Sequence, residues 1–241
     1  MPHLFMDCRF GIGGDMFLAA LAGLGLDLEP LAWALGNAGV EVELAAPVVR
    51  VRGLAGRRLN IGGAGGAQPL RHLDDILAIV ERLALPEIVR TKSAAAFRTL
   101  AEVEARMHGI GLQDVHFHEV GAVDTLVDVC GAFWGLDDLG VSHVVCSPLP
   151  WFSGTVDCAH GRLPLPAPAA LELLKGKPVF PTDFEMEIIT PTGALLVDQL
   201  VDAFAKGPQG TILDTATSYG THDLPESGGL RLVLFKPGKA D

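Results

Sequence analysis

Cysteine is scarce in this sequence, at four residues in 241, and none stands in a C-x-x-C pair. Cys8, Cys130, Cys146 and Cys158 are too scattered for a thiolate zinc site and too few for a disulfide framework, so reduced, buried thiols are expected. Long apolar runs are also missing. The longest, Met16 to Leu26, is broken by glycines and closed by Asp27 before the ~18 residues that suggest a membrane span. Basic residues are the third shortage, 18 Lys and Arg against 29 Asp and Glu, for a net charge of −11. That field repels nucleic acid and anionic lipid and gathers cations. No Lys or Arg precedes Asp7, so a secretory signal is not expected and the reading is cytoplasmic. No repeat of the solenoid kind is present.

What is present is core material. Apolar residues make up 49% of the chain and charged residues 20%, enough for a globular α/β (mixed α+β) protein with one main domain and a possible second lobe. His3 to Asp7 reads as a strand, followed by a glycine-rich turn and an apolar helix from Met16 to Leu24. Leu28 to Gly39 reads as a second helix with Pro30 in its first turn. Short strands are expected at 42–44 and 48–51. The run Gly62-Gly63-Ala64-Gly65-Gly66-Ala67-Gln68-Pro69 has linker composition, which divides the chain into an N-terminal lobe (1–61), a linker (62–69), a main α/β region (70–236) and a frayed tail (237–241). Helices are predicted over Leu73 to Leu85, Glu87 to His108, Val120 to Leu139, Ala167 to Leu174 and Ala194 to Phe204, with strands at 144–147, 179–180, 188–189, 212–213 and 230–235. Between Pro148 and Pro166 four prolines frame a stretch expected to be irregular.

Three places carry chemistry. In His116-Phe117-His118-Glu119-Val120-Gly121-Ala122-Val123-Asp124-Thr125-Leu126-Val127-Asp128, an extended start places both imidazoles on one face, and Asp124 and Asp128 share a helical face. Like charges four apart on a helix repel, which makes sense if a cation sits between them, and a mixed His/Asp/Glu set points to a transition metal. The competing reading is that His118 and Glu119 cap a helix and the aspartates are solvated. The second place is Asp7 with Gly11-Ile12-Gly13-Gly14-Asp15, where free N–H groups at a helix start suit a phosphate, unless Asp15 caps them itself. The third, Thr190-Pro191-Thr192-Gly193-Ala194, is either a second anion cradle or an ordinary capped helix. His160 is a candidate general acid or base, and Glu185 and Glu187 precede the threonine cap.

In this order, the stretches Asp7 to Met16, Arg71 to Ile76, Val115 to Asp128, Ser147 to Pro150 with Cys158 to Pro168, and Glu187 to Ala194 resemble the N-terminal part of the LarC family. The resemblance implies insertion of Ni²⁺ into pyridinium-3,5-bisthiocarboxylic acid mononucleotide, giving the nickel-pincer cofactor of lactate racemase-type enzymes, accompanied by CTP hydrolysis with Mg²⁺ or Mn²⁺. On that reading the family implies a metal-inserting lyase. His116, His118, Glu119, Asp124 and Asp128 surround the metal. Asp7, Gly11, Gly13, Gly14, Asp15, Glu187, Thr190, Thr192 and Gly193 hold the mononucleotide, and Glu119, Asp124 or His160 removes a ring proton. The alternatives are a Mg- or Mn-dependent phosphohydrolase and a non-catalytic nickel chaperone or scaffold.

The chain departs from the family pattern at several points. It lacks a histidine-rich tract at Gly62 to Gln68, leaving only His72 nearby, which argues against nickel storage. Phe10 replaces a small residue, Trp151-Phe152 replaces a smaller pair, and His222 stands at a usual Arg position. The C-terminal region to which the family's CTP binding is attributed has no counterpart in this sequence, so either a separate C-terminal LarC-type chain is a partner or the sequence is part of a longer protein.

Overall fold

A computed structural model describes residues 1–63, 71–117, 123–158, 160–221 and 228–238, with Arg71 and His116 as backbone only. In chain order the elements are β1 (His3–Asp7), α1 (Gly14–Gly23), α2 (Glu29–Asn37), β2 (Glu43–Ala45), β3 (Val48–Val51), β4 (Leu54–Arg57), β5 (Asn60–Gly62) and β6 (Arg71–His72). They continue with α3 (Leu73–Arg82), α4 (Glu87–His108), β7 (His116–Phe117), α5 (Val123–Asp138), β8 (His143–Cys146), β9 (Leu149–Trp151), β10 (Thr155–Cys158) and β11 (Gly161–Pro164). Last come α6 (Pro168–Leu173), β12 (Val179–Pro181), α7 (Pro191–Leu200), β13 (Ala203–Phe204), β14 (Gly210–Ser218) and β15 (Leu230–Pro237).

The fold is α/β around a mixed sheet in the order β13-β8-β1-β15-β14-β4-β3. β1 runs parallel to β8 and antiparallel to β15, so its two edges are paired by strands far away in sequence. β3 and β4, from before residue 62, share this sheet with strands from after residue 70. The sequence division at 62–69 therefore does not separate two sheets, and residues 64–70 themselves lie outside the described residues.

Helix α1 explains its own position. Every residue from Met16 to Leu21 is buried, and a helix apolar all round must be covered on all sides. It packs on β14 and β4 with one side and on α5 with another. Phe17, Leu18 and Leu21 are wholly shielded, each worth about 1.5–3 kcal/mol of burial. The helix predicted to run to Phe204 ends at Leu200, and Ala203–Phe204 adds a short edge strand beside β8 instead. The proline-framed stretch is not irregular throughout: β10 and β11 pair as a hairpin whose tip brings Cys158 opposite Gly161. Ile188–Ile189 is not a strand of a sheet but a single parallel bridge from Ile189 to Ile12. Cys8, Cys130 and Cys146 are buried as expected, whereas Cys158 is only partly covered. No helix among the described residues is long and apolar enough to cross a membrane.

Candidate functional site

The glycine turn leaves the carboxyl end of β1, the position where open α/β sheets place their ligands. Gly11, at φ 91°, makes the turn, its N–H donating to the Cys8 carbonyl at 2.8 Å. Ile12 then bonds the segment before α7 on both sides: its N–H donates to Ile188 O at 2.8 Å, and its carbonyl accepts from Thr190 N–H at 3.2 Å. The two glycine-marked helix starts are thereby fastened together. Gly193 explains how closely they come, because a Cβ there would overlap the Ile12 carbonyl.

The two starts are capped differently. At α7, Thr190 Oγ1 accepts from Gly193 N–H at 3.0 Å and lies 3.0 Å from Thr192 Oγ1, so this end carries its own cap. At α1 the cap residue is Gly13, in extended conformation and without a side-chain cap. Asp15 falls inside the first turn rather than at the cap position.

Asp7 is placed differently from a phosphate ligand. Its carboxylate accepts from Arg9 Nε and Nη2, each at 2.7 Å, and from Arg231 Nε at 3.0 Å, with Arg231 Nη2 also in contact. Burial alone would raise its pKa, but the hydrogen bonds from Arg9 and Arg231 outweigh that and bring it down to about 2. An anionic carboxylate already holding two guanidiniums anchors β15 to β1.

Helix α5 lies against α1 so closely that a Cβ on Gly14 would fall on the Asp128 carboxylate. Asp128 is 6% exposed, and its Oδ1 has no hydrogen-bond partner among the described residues. Burial first, then the charges of Asp15 and Asp124, push its pKa well up. A buried carboxylate beside two others is an arrangement that a proton or a cation must relieve.

Asp124 and Asp128 open on a cavity of about 570 Å³. Its walls also carry Glu104 and His108 of α4, Asp157, Cys158 and His160 of the hairpin, Glu187, and Thr192 of α7. Glu187 also lines a smaller recess with Gly13, Asp15, Thr190 and Arg58. The structure thus gathers Asp124, Asp128, His160, Glu187 and Thr192 about one cavity and Gly13, Asp15 and Thr190 about the adjoining one. His118 and Glu119 lie outside the described residues. Among the described residues, no three His, Cys, Asp or Glu side chains converge closely enough to enclose an ion by themselves.

A model of the nickel insertion protein family matches residues 4–241. The chain belongs to that family. A relative in Desulfitobacterium hafniense strain DCB-2, named pyridinium-3,5-bisthiocarboxylic acid mononucleotide nickel insertion protein, is 41% identical over 97% of this chain and 58% of its own length. A relative named for nickel insertion in Geotalea daltonii is 44% identical, over 97% of the chain and 61% of its own length. The chain therefore spans about three-fifths of the curated relatives it matches. No solved structure matches it.

Two residues that border these cavities were given no site role in the sequence. Arg58 follows β4 and lines the recess beside Gly13 and Thr190, with a buried Nε that has no hydrogen-bond partner among the described residues. Its only sequence signal is its place beside Arg57, which bonds Ala46 O instead. Cys158 was expected to be buried, and only the hairpin exposes it. Of the departures from the family pattern, Phe10 lines the same recess and packs edge-on against Phe184 at 6.3 Å. Phe152 is buried, Trp151 is exposed, and His222 lies outside the described residues.

Proposed function

We propose that this chain is the part of a cytoplasmic metal-inserting enzyme that holds Ni²⁺ and pyridinium-3,5-bisthiocarboxylic acid mononucleotide together, so that nickel enters the ring and the nickel-pincer cofactor results. The observation that carries the reading is Asp128, a buried and incompletely bonded carboxylate facing Asp124 across one helical turn, at the place where two helix starts are fastened side by side. The name of the Desulfitobacterium relative supplies the substrate.

In this reading the phosphate rests in the recess, against the glycine-marked start of α1 and the Arg58 guanidinium. Nickel is received by Asp124 and Asp128, with Asp15 and Glu187 adding negative potential. His116, His118 and Glu119 complete the set from the segment preceding α5. A ring proton must leave when the metal–carbon bond forms, and Asp124, Glu119 or His160 accepts it on the cavity side. CTP, with Mg²⁺ or Mn²⁺, is assigned to a LarC-type C-terminal region outside this sequence, whether on the same chain or on a partner.

The test is direct. The chain is incubated with Ni²⁺ and the mononucleotide, with and without CTP and the C-terminal segment of a relative, and metallated product is read by mass spectrometry. Product that disappears in the Asp124→Asn/Asp128→Asn variant supports the assignment. No product with every component present, and no binding of the mononucleotide, defeats it.

One observation favours a second reading. The carboxylates nearest Asp128 are all hard oxygen donors, which suit Mg²⁺ or Mn²⁺ better than nickel. A phosphohydrolase using them would release phosphate from simple esters with either ion and show no preference for nickel.

A further inference from the structure

A carboxylate cluster does not by itself select nickel over magnesium, so selection requires softer donors on the same cavity. Among the described residues His108 and Met107 of α4 offer such donors, and a thiol and an imidazole lie close together at the tip of the β10–β11 hairpin. Cys158 Sγ lies 3.9 Å from His160 Nδ1. An ion at ~2.3 Å from sulfur and ~2.1 Å from nitrogen sets those atoms just under 4 Å apart when the angle at the metal is somewhat wider than tetrahedral. The pair is already spaced as two ligands of one ion.

Its surroundings suit the task. The His108 ring of α4 lies tilted at 45° against His160 with centroids 4.9 Å apart, and His108 Nε2 is 3.4 Å from Glu104 Oε2, so the imidazole wall is tied to a long helix. Cys158 Sγ also lies 3.3 Å from the Gly161 carbonyl, within the hairpin turn. Cys8, Cys130 and Cys146 are buried, which leaves Cys158 as the thiol facing the cavity.

We propose that Cys158 and His160 form a two-donor landing site for a borderline divalent metal, Ni²⁺ above all, on the wall of the cavity that holds Asp124 and Asp128. The inference rests on the nickel-insertion reading for its purpose, but not for its chemistry. Binding forms a metal–thiolate bond and a metal–imidazole bond and releases the thiol proton to solvent. Two protein donors leave the remaining positions of the ion open. That incompleteness is what a transfer site needs, because incoming thiocarboxylate sulfurs take the open positions and draw the metal off. A closed four-ligand site would keep it.

The test uses the metal alone. The wild-type chain and its Cys158→Ser and His160→Ala variants are titrated with Ni²⁺ in the absence of mononucleotide, following near-ultraviolet thiolate-to-nickel charge transfer, with circular dichroism to establish folding. The band is expected in the wild type, absent in Cys158→Ser, and shifted to about tenfold or more higher nickel concentration in His160→Ala. Failure of the wild type to show the band, or its persistence in folded Cys158→Ser, overturns the proposal even if metallated product still forms. A band that depends on both residues supports the site even if no product forms, so the two readings fail separately.

Discussion

Replacing Asp128 by Asn tests the physical core of the site, because it removes one charge and keeps the shape. The folded chain holds this carboxyl 6% exposed, with Oδ1 unpartnered among the described residues and with Asp15 and Asp124 opposing its ionisation. A carboxylate pKa raised by folding means that the folded state binds the proton more tightly than the unfolded state does. Stability is therefore greatest below the ordinary carboxylate value of about 3.9 and falls as pH rises from there through the folded pKa. Asn carries no such penalty. Asn leaves an amide oxygen equally unsatisfied but uncharged, and because a buried unpaired group costs more when charged, Asp128→Asn should be more stable without metal at neutral pH by an amount on the order of 1–3 kcal/mol. For a chain of this length that is about 2–12 °C in Tm, at roughly 2–4 °C per kcal/mol. Near pH 4 the two proteins should converge. Nickel should reverse the order, since an ion at about 100 times its Kd stabilises the wild type by about 2.7 kcal/mol. Thermal unfolding across this pH range, with and without Ni²⁺, reads all three effects. An apo variant that melts lower than wild type at neutral pH, or nickel that stabilises both equally, would refute the reasoning.

Gly193→Ala should force the two helix starts apart at the Ile12 carbonyl, costing about 1–3 kcal/mol in urea unfolding and weakening mononucleotide binding together. Arg58→Gln should raise the Kd for the mononucleotide by about 10–100-fold in calorimetry, as expected for losing one charge-assisted bond to phosphate. Asp7 has the opposite sign from Asp128: its pKa is depressed to about 2, so its contribution is complete above the ordinary carboxylate range and fades as pH falls through 2. With both guanidiniums about half exposed, Asp7→Asn should cost about 1 kcal/mol at pH 7, and the difference should vanish in acid unfolding below that range.

The sequence made some of this legible because the signals were local. The strand, turn and helix from His3 to Leu24 follow from an apolar run with glycines at its start, and the cap at Thr190 follows from a hydroxyl before proline. Other features depended on partners far along the chain. Asp7 reads as part of the mononucleotide site until Arg231, 224 positions later, arrives on the neighbouring strand and pairs with it. Asp15 looks like a cap until the extended backbone at Gly13 moves the helix start back by two residues. Prolines around Cys158 suggested irregular chain, yet Pro164 sits at the end of β11 opposite Thr155, where the hairpin tolerates it. Arg58 carries no pattern in sequence, and only the folded chain brings it to the recess beside Gly13 and Thr190.

The large cavity has no single owner. Its lining falls into four segments, the end of α4, the start of α5, the hairpin with the start of α6 just after it, and the threshold of α7, and they are spread from residue 104 to residue 192. Occupancy and global folding should therefore be one equilibrium: whatever ligand is captured there will guard the whole chain against proteolysis and denaturant, and a nick in any of the four segments will release it.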